Sequence, residues 1–516
     1  MRKERGAITV FFSLVSVLFL SLICTAAESA RIQGARAQAA NIADMGNYSV
    51  FGEFEKRLLE EYEIFALDAS YGTGDFSMDR VNDRLRDFMG KNAGKEVKGL
   101  AGLCFEPWQL ELQESEILEY ALLTDRGGEA FYQQAVSYMK QTAVTGTIGK
   151  LFQYHHDAQS AKSDQEEFKR NENSSQEQME NLEQQEAEKK KELEEQAARA
   201  ESAGDGSMVI VGGQPSQAPD AENPFDAVEQ LKSKSMLDVL CSKYGVSGQT
   251  VSKSQIASKR RKKTGTMELP SENGGLTANL LFREYLLDHF PGYQDRKEGE
   301  KLNYQIEYVI GGKRSDRENL KTVVNKLLLL REGCNYVYCV ANREMNTQAG
   351  ALAALLVGWL GVPPLITVMK HALLLSWAYG ESMLDVKTLM DGGSVPMAKT
   401  EATWRLTLDK LTNIEGLLRE DGASRKEGED YRAHLRILLN LQSVSTQKKR
   451  AVDLVELNLS SVPGLSNFQA DHCVVGIRAR SSWRIRPVFA RVPAVFLGVP
   501  SSGLLVTADS GFTYEN

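Results

Sequence analysis

From Ala7 to Ala27 the chain runs for 21 residues without a charge. As a helix rising about 1.5 Å per residue, such a run spans roughly 31 Å, the depth of a bilayer's hydrocarbon core. A cleaved secretory signal carries a shorter apolar stretch, about 7 to 15 residues, followed by small residues. Thr25-Ala26-Ala27 supplies small residues of that kind, but the length is that of an anchor. Arg2, Lys3 and Arg5 precede the run, whereas Glu28, Arg31 and Arg36 follow it with mixed sign. That bias predicts a single-pass protein of the cell membrane with a cytoplasmic N-terminus and its remaining domains outside. Glu28 to Met45 contains no proline, so the helix is expected to leave the membrane unbroken. Ala30, Ala35, Ala39 and Ala43 make a narrow face that another helix can approach closely. Alanine is also simply the best helix former.

Arg5-Gly6-Ala7-Ile8-Thr9-Val10, the apolar run and the stretch ESARIQGARAQAANIADMGNYSVFGEF together resemble the N-terminal segment of TadG-like proteins of bacterial tight-adherence (Flp-type) pilus systems. In those proteins a membrane helix continues into an Ala-rich helix ending in a Gln/Asn-Ala-Ala-Asp-like element, approximated here by Asn41-Ile42-Ala43-Asp44. The resemblance covers about the first 50 residues. It implies a bilayer and other pilin-like, pilus or secretion subunits as partners, and prepilin-type processing between Gly6 and Ala7. Such processing generally wants a glutamate at the fifth mature position, which is Phe11 here, and Gly6 is read as uncut. Further on, NYQIEYVIGGKRSDRENLKTVVNKLLLLREGCNYVY, GWLGVPPL and VDLVELNL resemble a bacterial membrane-protein family of unknown function, which implies no activity.

Of 516 residues, 42% are hydrophobic and 25% charged, ordinary globular usage. The net charge of −8 argues against a nucleic-acid partner. A short basic cluster, Ser258 to Lys263, reads as an exposed loop, with contact to anionic polymers or lipids as the alternative. Outside the apolar run the cysteines are Cys104, Cys241, Cys334, Cys339 and Cys473. An odd number completes no disulfide framework, and buried free thiols are expected.

The predicted fold class is α+β, with an N-terminal transmembrane helix running on into a long pilin-like helix. Residues 1–27 are the basic tip and anchor, 28–68 the Ala-rich extended helix, 69–156 a small α/β section, 157–223 a charged helical spacer and linker, and 224–516 the main exodomain. Asp157 to Ala200 is almost continuous Glu, Gln, Lys and Asn. Heptad spacing is hinted by Met179, Leu182 and Leu193 but interrupted at Glu186 and Lys189, so a solvated helix is expected rather than a sustained coiled coil. Residues 201–223 read as a flexible linker. Alternation at Tyr304, Ile306, Tyr308 and Ile310 predicts a strand, and EGCNYVYCV reads as another. Ser315 and Glu318 have capping-box spacing at the start of a long helix. WRLTLDKL and EDYRAHLRILLNLQ read as helices. Residues 348–380 predict a helical hairpin turning at Gly361 to Pro364, with membrane entry as the alternative. The C-terminal stretches DHCVVGIRARSS, WRIRPVFARVPAVFL and GLLVTADSGFTYEN predict an antiparallel sheet.

No catalytic constellation, cofactor site or metal site is predicted. His155-His156-Asp157 lacks the i, i+4 spacing of a zinc-binding helix. Asp471-His472-Cys473 places its base and thiol on opposite sides of a strand. Gly311-Gly312-Lys313-Arg314-Ser315 reads as a turn and cap, although a glycine turn before a helix also suits an anion. Two functional readings follow. The first is a non-enzymatic, membrane-anchored component of a pilus or secretion assembly. The second is an anchored enzyme acting on cell-wall or extracellular polymer through a carboxylate pair that the sequence does not pick out.

Overall fold

The computed structural model describes residues 2–93, 97–98, 104–142, 147–202, 224, 228, 231–232, 236–241, 245–269, 274–297, 299–358, 362–420, 422, 424–489 and 503–514. The chain divides into two compact units built from separated segments. One comprises residues 1–141, 253–274 and 451–516, the other residues 142–252 and 275–450. The expected main domain over 224–516 is crossed by this division, because residues 451–516 supply strands to the first unit.

In the first unit, α1 (Arg2–Phe51) runs unbroken through both the apolar segment and the Ala-rich stretch. Its most apolar 18-residue stretch has a mean hydropathy of 2.4 and none of it is buried. Among the described residues it is the one helix long and apolar enough to cross a membrane. The helix stops at Phe51 and resumes as the short α2 (Lys56–Tyr62), so residues 48–63 are not the continuous helix their pattern suggests. Beyond the apolar run, α1 becomes a core element. Ala35, Ala39, Ile42 and Ala43 are buried against Val81, Leu85 and Met89 of α3 (Met78–Ala93) and against the sheet. The approach is close enough to require glycine. A Cβ on Gly34 would overlap the Trp108 ring, and one on Gly46 would lie 2.7 Å from Met89 Cγ.

Where α1 leaves the apolar run, Glu28 and Arg31 form an ion pair at 2.5 Å. Arg31 also donates to the carbonyls of Trp108 (2.8 Å) and Arg486 (2.7 Å), while Glu28 accepts from the amides of Val488 (3.2 Å) and Phe489 (2.8 Å). Burial raises the proton affinity of Glu28, but Arg31 and the two amides outweigh it, and its carboxyl stays below the ordinary range.

Strands β1 (Leu67–Asp68), β2 (Val97–Lys98), β3 (Cys104–Phe105) and β4 (Leu110–Leu122) come from the N-terminal segment, which closes with α4 (Glu129–Thr142). The C-terminal segment supplies β5 (Cys473–Ile485) and β6 (Leu504–Thr513). β5 is central: β4 pairs antiparallel with it from Leu110 opposite Ile485 to Leu122 opposite Val474. It also pairs antiparallel with β6, from Ile485 opposite Leu504 to Gly476 opposite Thr513, and with the two residues of β1. The expected C-terminal sheet is present, but two of its four strands come from residues 67–122. β2 and β3 form a separate ribbon.

The basic cluster is only partly a solvent loop. Arg260 bridges Glu456 (2.8 Å) and Asp471 (2.5 Å), and Ser258 bonds Asp453 through its amide and its hydroxyl. Lys259, Arg261 and Lys263 are exposed.

The second unit contains α5 (Thr147–Ser202), α6 (Gly275–His289), α7 (Gln305–Gly311), α8 (Asp316–Ala341), α9 (Arg343–Val357), α10 (Pro363–Met390), α11 (Tyr431–Asn440) and the start of α12 (Val444–Leu459). α8 is the hub, packed against α5, α7 and α10. The spacer reading of residues 157–200 holds for the helix but not for its setting. Ala158 and Ala161 are buried with Leu330 and Ile437, and Phe168 meets Tyr336 edge to face at 5.7 Å. Gly333 permits this crossing, since a Cβ there would lie 2.8 Å from the amide nitrogen of Gln165. The predicted linker lies, beyond Ser202, outside the described residues.

Two predicted strands are helices. Residues 304–310 are buried at every position, and with apolar contacts on all sides their alternation marks no face. They form α7, and EGCNYVYCV lies within α8. The hairpin over 348–380 is present as α9 and α10, with Pro363 at the first turn of α10. WRLTLDKL is largely irregular, with a 3-10 turn at Leu408–Asn413. Ser315 takes the N-cap position of α8 but makes no side-chain cap bond. The neighbouring Asp316 instead ties loops together, accepting from Ser247 Oγ (2.7 Å) and the amides of Asn303 (3.0 Å) and Tyr304 (3.2 Å).

Candidate functional site

The greatest concentration of buried charge lies in the second unit and starts from one helix. α10 is apolar over most of its length, yet Glu381 and Asp385, one turn apart, are both fully buried. At that spacing two side chains lie on the same face. Neither carboxylate survives in a low-dielectric interior without partners, and three cations converge on them. Arg331 of α8 donates from Nε (3.1 Å) and Nη2 (3.0 Å) to Asp385 Oδ2. Lys399 Nζ reaches Glu381 Oε1 at 2.5 Å and Asp385 Oδ1 at 2.7 Å. Arg405 Nη2 lies 3.0 Å from Asp385 Oδ1 and its Nη1 2.9 Å from Thr388 Oγ1.

The irregular backbone after Lys399 has a purpose here. Because residues 404–406 are not helical, the amides of Arg405 (3.2 Å) and Leu406 (2.8 Å) are free to donate to Glu381 Oε2. Asn335 completes the set, donating to Asp385 Oδ2 at 3.1 Å and to Ser382 Oγ at 2.9 Å. Burial alone pushes the Asp385 carboxyl up, but Lys399, Arg331 and Arg405 prevail and hold it well below the usual range. Close by in charge terms, His434 is fully buried. Its Nδ1 donates to the Asp430 carbonyl at 2.8 Å, and burial followed by the Arg331 charge brings its pKa down to about 4.

This network floors a cleft of about 290 Å³. Its walls are the segment Ser394–Arg405 and the loop Ser424–Glu427, with Asp385 and Thr388 of α10 below. The loop is fixed in place: Ser394 N donates to Arg425 O at 2.8 Å, and Val395 and Glu429 exchange two backbone bonds at 3.0 Å. Gly428, at φ 101°, sits where a Cβ would overlap the Val395–Pro396 backbone. Lys399, Arg405, Arg425 and Lys426 give the cleft a cationic lining. Burial and the neighbouring Arg405 both lower the proton affinity of Arg425.

The positions singled out from sequence fare differently. Ala35, Ala39 and Ala43 are buried within the first unit by the chain's own α3 and sheet, so that face is already occupied, while Ala30 is exposed. Gly6 and Ala7 lie in the helical backbone of α1. In the glycine turn, Gly312 adopts φ 67° and donates to Tyr308 O, and Lys313 N donates to Asn319 Oδ1 at 2.7 Å, so these two amides are taken up by the protein itself. His155 Nδ1 lies 3.2 Å from Asn440 Oδ1. Asp471 is engaged by Arg260 and by the Lys263 amide, and Cys473 Sγ faces the Gln469 carbonyl. Among the described residues no three His, Cys, Asp or Glu side chains gather as a metal site. Cys24, Cys241, Cys334, Cys339 and Cys473 are free thiols, with burial pushing Cys334 up to about 11.

The Glu381/Asp385 pair is what the sequence reading missed. Its signal was available: two acids at i, i+4 in a helix otherwise filled with Leu, Met, Trp and Val have to find buried cations. No curated protein and no solved structure matches the chain. The model of a family of unknown function, DUF5702, matches residues 214–485, more than half of the chain, and takes in α6 to α12, the buried network and its cleft. The chain therefore belongs to the DUF5702 family of unknown function.

Proposed function

We propose that the protein is a non-enzymatic envelope component, held by α1 as a single-pass anchor with its folded units outside, and serving a tight-adherence-type pilus or related secretion assembly. The observation that carries the anchoring is the exposed apolar half of α1, where Ile8, Phe11, Phe12, Leu14, Leu18, Phe19, Leu20 and Leu22 are each at least 58% exposed. At about 1.5 to 3 kcal/mol per large apolar side chain moved out of water, the run favours a bilayer by on the order of 10 to 20 kcal/mol. The rest of α1 is a core element of the first unit, so this unit would sit close to the membrane surface. The assembly role rests on the resemblance of the first 50 or so residues to TadG-like proteins.

A surface hydrolase using the Glu381/Asp385 pair is the second reading. A glycosidase-like pair needs one carboxyl of raised proton affinity as the acid. Lys399, Arg331 and Arg405 do the opposite to Asp385, which favours the non-enzymatic reading.

Cysteine accessibility in membranes tests the proposal. Single cysteines near residues 3, 200 and 450, in a background without native thiols, are probed with an impermeant reagent on intact cells. Labelling at 200 and 450 but not at 3 is expected; protection of 450 until lysis overturns the external placement. Pili assembled normally in cells lacking the protein, with no co-isolation of pilus or secretion subunits, overturn the assembly role.

A further inference from the structure

The charges around the cleft do not balance. Among the described residues, Arg331, Lys399, Arg405, Arg425 and Lys426 face Glu381, Asp385, Glu427 and, beside Arg425, Glu420, five cations against four carboxylates. Lys399 and Arg405 are tied to the buried carboxylates, whereas Arg425 and Lys426 are exposed at the rim of the cleft. Arg425 makes no ion pair or side-chain hydrogen bond with any described residue, although its backbone is pinned by Ser394 N. The hydroxyls of Ser394 and Ser424 line the same space and likewise have no partner among the described residues. A forked guanidinium, an ammonium and hydroxyl donors around one small volume form the donor set that suits a phosphoryl oxyanion.

We propose that the cleft walled by Lys399, Arg405, Ser424 and Arg425 binds a doubly charged oxyanion of the phosphate-monoester class. A phosphoryl group fits within 290 Å³ and leaves room for a small ester-linked group towards the open side. Lys399 and Arg405 stay committed to Glu381 and Asp385 and supply a fixed positive floor. Arg425, which has no such commitment, supplies the fork that closes on the ligand. The site is independent of where the protein resides.

The test is calorimetric titration of the full-length protein in detergent with inorganic phosphate and, separately, with glycerol 3-phosphate, against sodium chloride at matched ionic strength. Saturable binding of a phosphate compound that chloride does not reproduce is expected. Arg425→Ala is expected to weaken it by about tenfold or more, as loss of a charged hydrogen-bonding partner does, and Arg425→Lys to restore part of it. Tighter binding of glycerol 3-phosphate identifies an organic ester as the ligand, and equal affinity a free oxyanion; both support the site. Heat from phosphate equal to that from chloride, or an unchanged affinity in Arg425→Ala, overturns it. Lys426→Glu, at an exposed side chain, is a second variant whose folding is not at stake, and it too is expected to weaken phosphate binding.

Discussion

Glu307, on α7, offers the sharpest quantitative test of the second unit. Its side chain is fully buried, and its Oε1 accepts from Tyr431 OH at 2.7 Å and from the Tyr293 amide at 2.9 Å. Among the described residues, Oε2 has no hydrogen-bond partner. Burial outweighs the two bonds and pushes the pKa from 4.5 up to about 7. The sign follows from linkage. Below pH 4.5 the carboxyl is protonated in both states and costs nothing. Between pH 4.5 and 7 the unfolded chain ionises while the folded one holds its proton, so stability falls as pH rises, and above pH 7 the full cost is in place. A shift of this size corresponds to about 3 kcal/mol. Glu307→Gln keeps an acceptor for Tyr431 and Tyr293 but cannot ionise, so its stability is expected to lose this slope. Its extra amide hydrogens lack a partner, which costs about 1 to 3 kcal/mol at low pH. Wild type is therefore the more stable at pH 5, and the two converge by pH 8. The assay is urea unfolding between pH 5 and 8, with opening of the second unit read from a brief thiol-labelling pulse at one fixed pH on buried Cys339 as the sole cysteine. Parallel pH profiles for the two proteins would refute the reasoning.

Other consequences are open to direct measurement. Lys399→Met leaves Glu381 and Asp385 buried with fewer cations and is expected to destabilise the second unit by about 3 to 5 kcal/mol in the same urea assay; a loss below about 1 kcal/mol would show that Arg331 and Arg405 suffice. Gly34→Val forces α1 away from Trp108 and should cost about 1 to 3 kcal/mol. Gly90→Ala, on the same unit's α3 with nothing within 4 Å of the new Cβ, should instead add about 0.5 to 1 kcal/mol. Opposite thermal shifts for these two variants are the check.

Much of the local structure was legible in the residues. The apolar run and the proline-free stretch after it specify a single long helix, because apolar length and helix propensity are properties of contiguous sequence. β-branched alternation marked β5 and β6 correctly. The same signal misled at Tyr304 to Ile310, where burial on every side left alternation without a solvent face to report. The charged composition of residues 157–200 marked a helix, yet could not reveal that Ala158, Ala161 and Phe168 on one side of it reach a core.

What the chain's order alone determined, then, is a membrane-length helix with an unbroken extension, a mixed α and β body, and thiols without a framework. The tertiary structure decided the rest. It brought β4 and β5 side by side from positions more than 350 residues apart, and so gave the Ala-rich face of α1 a partner in its own chain. It also drew Lys399, Arg405 and Arg425 around two buried carboxylates of α10. Neither result is written in any short window, because pairing register and charge compensation are settled by which surfaces exclude water together, and that depends on contacts distant in sequence.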